Sequence, residues 1–351
     1  MPVKRIGNIF YRIVDMDNLR LAAKKACASR KDRNEVEAFK RDQERKLRFL
    51  RDDLLAGSYV PSEYRMFVTN ENGKERLVAD CPLYPDRILH WAICLVAEEP
   101  LNRTLIKQTY GSVPGTGHHA AVKKVYDYIQ RDSRARYALS IDVRHFFASI
   151  DKDVLKGKIR RTFKDRLFID LIDIIIDGYD LPGIPIGNRT SPMLANLYLS
   201  EIDHIMKERF HCHYYVRYMD DIVVLGYSTK WLHRIKRILE EMMKDVNLEL
   251  KGNWQVYPID SRGIQFLGYR IFTDHILLKK TTKQRMKTAA RRIKADLMIT
   301  GRPMDRHDLG TVHSYEGVLR WCDGNNLRKQ VLDPLYRLDD RNLTVPKELI
   351  S

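Results

Sequence analysis

The sequence predicts an α+β fold, a sheet with helices packed on one face, and three observations carry that expectation. Between residues 135 and 273, β-type and helical patterns alternate in the order strand, helix, strand, strand, helix, strand, which favours helices gathered on one side of a largely antiparallel sheet. The composition, 44% hydrophobic and 31% charged over 351 residues, is that of a globular chain with core enough for one large domain or two to three subdomains. No internal repeat, low-complexity tract or long Pro/Gly/Ser linker interrupts it, so any subdomains are joined compactly.

Taken in order, residues 35–56 space Phe39, Leu47, Leu50 and Leu54 as a helix that stops at Gly57. Residues 64–81 predict a hairpin turning at Asn72-Gly73. A buried helix is expected over 86–99, then a glycine-rich loop, "YGSVPGTGHHAAV", running into another helix. Residues 135–151 form a strand that delivers Asp142, and 166–177 an apolar helix. The loop "LPGIPIGNRTSP" leads into a helix over 192–209. In "HYYVRYMDDIVVLG", 213–226, β-formers flank Met219, Asp220 and Asp221, so the stretch reads as two strands with the acidic pair at the turn. An amphipathic helix over 229–246 and strands over 248–257 and 263–273 follow.

Charge restricts the partners. Lys and Arg number 62 against 46 Asp and Glu, a net +16, which points to a polyanion. Nucleic acid is favoured over a membrane because no long apolar span or signal peptide is present. From Lys279 to Lys294 eight of sixteen residues are basic and none acidic; solvated helix faces normally mix signs, so this one suits a phosphate backbone. The five cysteines, Cys27, Cys81, Cys94, Cys212 and Cys322, show no CxxC spacing, as expected of reduced thiols in the cytoplasm. In "HCH", 211–213, strand alternation turns Cys212 away from its neighbours, and no zinc site is expected.

The acidic pair is the chemical feature. Adjacent carboxylates repel, and one takes up a proton unless a cation or hydrogen-bond donors neutralise them. A hard divalent ion does so with one or two carboxylates and substrate phosphates; a solvated Asp-Asp turn is the other reading of the pair taken alone. Nucleotidyl transfer needs two such ions roughly 3.5–4 Å apart, and hence carboxylates from separate segments. Asp142 at a strand end and Asp220/Asp221 at a hairpin tip have that form.

Five ordered motifs then resemble those of reverse transcriptases, over about residues 60–325. "SIDVRHFFASID" resembles the segment carrying the first metal aspartate, and "RYMDD" the YxDD box. "GIPIGNRTSPMLANLYL", 183–199, resembles the template-and-nucleotide loop, "NLELKGNWQ" the motif with a late lysine, and "IQFLGYRI", 264–271, the primer grip. The resemblance implies a right-handed polymerase fold. Its fingers would span 1–135, its palm 136–274 with a fingers insertion at about 152–182, and its basic helical thumb 275–351.

It also implies roles. Asp142, Asp220 and Asp221 would be catalytic and, with Val143, would hold two Mg2+ ions, Mn2+ being a possible substitute. Lys74 and Arg76 would neutralise the triphosphate, Phe147 would exclude a ribose 2′-hydroxyl, Ile186 and Gly187 would lie against the nascent pair, and Lys251 would protonate pyrophosphate. Phe266, Leu267 and Gly268 would grip the primer. Lys279, Lys280, Lys283, Arg285, Lys287, Arg291, Arg292 and Lys294 would follow the nucleic-acid backbone. Template RNA, its cDNA hybrid and dNTPs are the implied partners.

Among reverse transcriptases the sequence looks most like the bacterial enzymes of diversity-generating retroelements. An aliphatic residue, Ile186, precedes Gly187, and "PDRILHWAI" and "GTGHHAAV" also look like that group. The group usually has Ser-Gln where this chain has Ser191-Pro192. Such enzymes copy with errors opposite adenine beside a small basic accessory protein; a structured non-coding RNA is the other expected companion. The alternatives are a related enzyme of anti-phage defence and a catalytically silent RNA-binding scaffold. The sequence ends soon after the basic helix without an endonuclease or DNA-binding extension, making an intron maturase the weaker expectation.

Overall fold

The computed structural model describes residues 5–30, 32–71 and 73–344, with the side chains of 71, 74 and 341–344 outside that description. Four helices open the chain: α1 (Phe10–Ile13), α2 (Met16–Ser29), α3 (Arg33–Lys40) and α4 (Gln43–Ala56). The hairpin β1 (Arg65–Glu71) and β2 (Lys74–Asp80) follows, then α5 (Ile88–Asn102), α6 (His118–Arg131) and β3 (Tyr137–Asp142). Next come α7 (Phe146–Ser149), α8 (Lys152–Thr162), α9 (Arg166–Asp177), α10 (Ser191–His204), β4 (Tyr215–Tyr218), β5 (Asp221–Gly226) and α11 (Thr229–Lys244). The chain closes with β6 (Gln255–Pro258), α12 (Ile259–Arg262), β7 (Ile264–Phe266), β8 (Tyr269–Ile271), β9 (Ile276–Leu278), α13 (Lys280–Thr300), α14 (Arg306–Leu319), α15 (Asn325–Val331) and α16 (Asp333–Thr344). The mixture is α+β, as expected.

Side-chain caps set several of the helix starts. Asp15, Asp32, Asp151, Asp165 and Asp305 cap α2, α3, α8, α9 and α14, each carboxylate accepting one or two backbone N–H groups of the first turn, which stabilises each helix by about 1 kcal/mol. The helix expected over 35–56 is two helices, because Asp42 leaves helical backbone at φ −138° and ψ 32°. The apolar spacing survives this break, with Phe39 buried on α3 and Leu47, Leu50 and Leu54 on α4. Periodicity reports which face is buried and is blind to a single backbone rotation.

In the hairpin β1–β2, Arg65 faces Asp80 and Glu71 faces Lys74. Asn72 of its expected turn lies outside the described residues, and the Gly73 N–H donates to Asn70 Oδ1 at 2.8 Å. A four-stranded sheet has the order β4-β5-β3-β6, and a separate antiparallel sheet runs β7-β8-β9. β6 pairs antiparallel with β3, Tyr137 facing Pro258. The strand expected over 248–257 is therefore short, and Leu250 ahead of it makes an isolated bridge to Val143. The strand expected over 263–273 is a hairpin, β7 and β8.

Two compact units result, Met1–Gly117 with Ile141–Ile222 and Arg234–Trp254, and His118–Ser140 with Val223–His233 and Gln255–Ser351. In the first, α5 is buried along most of its length (Ile88, Leu89, Ala92, Ile93, Val96, Leu101) and packs against α2. Each such aliphatic side chain contributes about 1.5–3 kcal/mol when fully buried. In the second, α13 buries the stripe Met286, Ala290, Ile293 and Leu297, leaving its basic residues on other faces. Among the described residues, no helix is long and apolar enough to cross a membrane.

Candidate active site

The first unit brings together segments far apart in sequence. β3 ends at Asp142, and the next residue's N–H, that of Val143, donates to the Asp220 carbonyl at 3.3 Å. The segment 249–251 lies alongside: Arg144 N–H donates to Glu249 O and Lys251 N–H to Asp142 O, each at 2.8 Å. Lys251 Nζ forms an ion pair with Asp142 Oδ2. Asp142 Oδ1 is buried with no hydrogen-bond partner.

Asp220 feels this crowding. Burial, and after it the neighbouring Asp142 carboxylate, pushes its pKa up to about 6, since both disfavour a second negative charge in the same space. Asp221 opens β5 one residue later and is half-buried. Among the described residues no set of three His, Cys, Asp or Glu closes into a metal cage. What the site offers is a close carboxylate pair with an orphaned acceptor and the Lys251 ammonium drawn against Asp142. That donor set fits a hard divalent ion, which takes one or two carboxylates from protein and the rest from water and substrate phosphate.

A cavity of about 760 Å³ opens beside the pair, lined among others by Arg76, Phe147, Ile184, Ile186, Asp220 and Lys251. That is a volume suited to a small ligand the size of a nucleotide. Phe147 is half-buried at its wall and stands edge-on to the buried Phe146, ring centroids 5.5 Å apart. Lys74 begins β2, and its side chain lies outside the described residues.

Gly187 shows why a glycine is needed here. Its φ is 121°, and a Cβ would stand 2.5 Å from the Ala79 carbonyl oxygen. The same contact line carries a bond from Ala79 N–H to Ile186 O at 2.8 Å. The backbone that Gly187 admits is thus that of β2, which locks the loop holding Ile186 to the strand holding Arg76. Gly187→Ala is expected to lower stability by at least about 2 kcal/mol and primer extension by more than tenfold, read by thermal denaturation and steady-state kinetics. A variant with an unchanged thermal midpoint would contradict the packing.

Sequence reasoning missed the support of the tip. Arg217 and Asp203, both fully buried, form an ion pair with Nη2 2.6 Å from Oδ2, and Arg217 Nη1 donates to the carbonyl of Met219, the residue before Asp220. The available signal was Arg217 inside the β-type stretch "YYVRYM", since a buried charge requires a partner.

The second unit holds the other predicted residues. Phe266 is buried, and Leu267 (φ 47°) and Gly268 (φ 88°) make the turn from β7 to β8. Gly268 O accepts the Lys279 N–H at 2.9 Å, joining this turn to the start of α13. Lys279, Lys280, Lys283, Arg285, Arg291 and Lys294 are exposed, and Lys287 is half-exposed. Arg292 differs from them, because its Nη2 holds Asp308 of α14 at 2.6 Å.

Comparison with known proteins identifies the family. Residues 68–271 match the family described as reverse transcriptase (RNA-dependent DNA polymerase). The chain is 25% identical over 272 residues to Protein YkfC of Escherichia coli, covering 64% of this chain and 71% of that protein. It is 26% identical over 260 residues to the group II intron-encoded protein LtrA of Lactococcus lactis, covering 69% of this chain and 43% of LtrA. With the retron Ec73 reverse transcriptase of Escherichia coli it shares 26% over 178 residues, 45% of this chain and 55% of that enzyme. The match thus spans less than two thirds of the latter two proteins. Among solved structures, telomerase from Candida albicans with a fragment of telomeric RNA aligns at a TM-score of 0.48 and 11% identity, over 79% of this chain and 57% of that one. With the family match running over more than half its length, the chain belongs to the reverse transcriptases, RNA-directed DNA polymerases that generally use divalent metal ions.

Proposed function

We propose that this chain copies a template RNA into DNA by Mg2+-dependent addition of dNTPs to a primer 3′-hydroxyl. The observation that carries this is Asp220, which lines a cavity together with Arg76, Phe147, Ile186 and Lys251 while its carboxylate lies against that of Asp142. Asp142 and Asp220 would hold the ions, two Mg2+ with Mn2+ as substitute, aided by the Val143 carbonyl and by Asp221. The chemistry supplied by bound divalent ions is activation of the attacking hydroxyl and neutralisation of the leaving pyrophosphate.

The chain's own residues do the rest. Arg76, with Lys74 at the head of the same strand, offsets triphosphate charge. Phe147 fills the space a 2′-hydroxyl would need. Lys251, which neutralises Asp142 in the free protein, is placed to give a proton to pyrophosphate. The turn 266–268 holds the primer, and the exposed lysines and arginines of α13 follow the backbone of the RNA/DNA hybrid, reading shape more than sequence. On this reading fingers, palm and thumb divide the chain near residues 135 and 274.

Ile186 supports the finer reading, a diversity-generating retroelement enzyme with error-prone copying and a small basic or RNA companion. An aliphatic side chain at the nascent pair makes no hydrogen bond to police it. The measurement is primer extension by the purified chain on an RNA template with dNTPs and Mg2+, followed by sequencing of the cDNA. Extension abolished by chelation is expected, with errors opposite adenine exceeding those opposite other bases. Ile186→Gln should lower those errors about fivefold, the equivalent of one hydrogen bond near 1 kcal/mol. Errors spread evenly over the bases would remove the retroelement reading. Ser191-Pro192, a departure from that group, favours the second reading, a related enzyme serving anti-phage defence.

A further inference from the structure

The tip that presents Asp220 is built on backbone that side chains rarely adopt. Met219 lies at φ 52°, in the left-handed region, and such a conformation persists where its surroundings over-determine it. Here the surroundings are specific. The buried Arg217 guanidinium donates Nε to both Asp203 oxygens at 2.9 Å and Nη2 to Oδ2 at 2.6 Å. Its Nη1 donates to Asn196 Oδ1 and to the Met219 carbonyl, each at 3.1 Å.

The ring closes from the other side. The Asn196 amide donates to Gly111 O at 2.7 Å, and Gly111 lies so close to Met219 that a Cβ there would stand 2.8 Å from the Met219 nitrogen. Tyr215 donates its hydroxyl to Asp203 Oδ1 at 2.6 Å. The Arg217 backbone is held as well, its N–H by Gln108 O at 3.0 Å and its carbonyl by Tyr110 N–H at 2.9 Å.

Two buried charges are a poor way merely to fasten a strand to a helix, since apolar residues of similar volume often serve as well or better. An apolar residue cannot, however, donate to the Met219 carbonyl. We infer that Arg217 is a positioning residue for polymerisation: through Asp203, Asn196 and the Met219 carbonyl it fixes the backbone of the tip, and with it the angle at which Asp220 meets Asp142. This rests on the polymerase reading and adds to it a residue that touches neither substrate nor metal.

The test separates position from stability. In the full chain, Arg217→Lys keeps the charge without the planar fork, and Arg217→Met combined with Asp203→Asn removes both charges together. For each, kcat should fall by at least about tenfold, the scale on which groups that orient a ligand act. The dNTP KM and the affinity for a primer–template, measured by fluorescence anisotropy, should stay within about threefold of the unmodified chain. In metal-free protein, amide exchange should quicken in a peptide spanning residues 215–226. The inference is overturned if the charge-free pair, folded to the unmodified thermal midpoint, retains kcat within about threefold, as an ion pair serving stability alone would. It is also overturned if KM and primer–template affinity shift as much as kcat. Should the charge-free pair not fold, Asn196→Ala, which leaves the ion pair in place, decides by the same split. The polymerase reading is judged separately, by primer extension with the unmodified chain.

Discussion

Asp220→Asn is expected to reduce primer extension by about a thousandfold or more while making the metal-free protein more stable at neutral pH. The first effect follows from removing one of two carboxylates that face each other at the cavity, a loss on the scale of removing a preorganised electrostatic group from an active site. The second follows from the sign of the pKa shift. Asp220 is raised from the ordinary aspartate value near 3.8 to about 6 by burial and by Asp142, so the fold favours its protonated form. A group shifted in that direction supports the fold fully below pH about 4 and loses that support as pH rises through about 6. At pH 8 without divalent ions the ionised pair therefore opposes folding by on the order of 1–3 kcal/mol, and the amide removes that opposition.

Thermal midpoints of the two proteins should accordingly agree near pH 4 and separate by pH 8, the variant being higher. Adding Mg2+ at pH 8 should raise the midpoint of the unmodified chain more than that of the variant, because an ion bound only by the folded state stabilises it by mass action. Extension within tenfold of the unmodified chain would refute the assignment of Asp220. Coincident midpoints at both pH values would refute the crowding argument alone.

Phe147→Ala is expected to admit ribonucleotides, lowering discrimination against them by about a hundredfold, with dNTP incorporation changed by less than tenfold. The ring stands at the wall of the cavity that also exposes Asp220 and Lys251, and it is half-buried where its neighbour Phe146 is buried. Truncation therefore opens space on the ligand side. Stability should fall by less than the 3–5 kcal/mol typical of deleting a fully buried phenylalanine, while a single steric contact in a pocket is worth about 10–200-fold in selectivity. Competition between matched dNTP and rNTP on one RNA template measures it. Unchanged selectivity would mean that Phe147 packs the wall without sorting sugars.

Much of this site was legible before any fold was known. The β-formers around Met219, Asp220 and Asp221 specify a hairpin, and the strand pattern up to Asp142 specifies where its carboxylate emerges, because alternation and turn chemistry act between neighbours in sequence. The basic run of α13 is equally local, since a one-signed stretch needs no fold to be recognised. These determinants lie within one element each.

What only the tertiary structure decided lies between elements. Lys251 reaches Asp142 from 109 residues away, and Gly187 admits the carbonyl of Ala79 on a different strand. Arg292, one of eight similar cations in the sequence, meets Asp308 of the next helix. Arg217 finds Asp203, Asn196 and the Met219 carbonyl at once. A side chain's type fixes what partner it requires, but its partner is chosen by which distant segments pack together, and that choice is made by burial of the whole core. The sequence by itself thus determined the hairpin, the strand-end aspartate and the chemistry they favour; the fold decided their mutual distance, their neutralising partners and the buried arginine behind the tip.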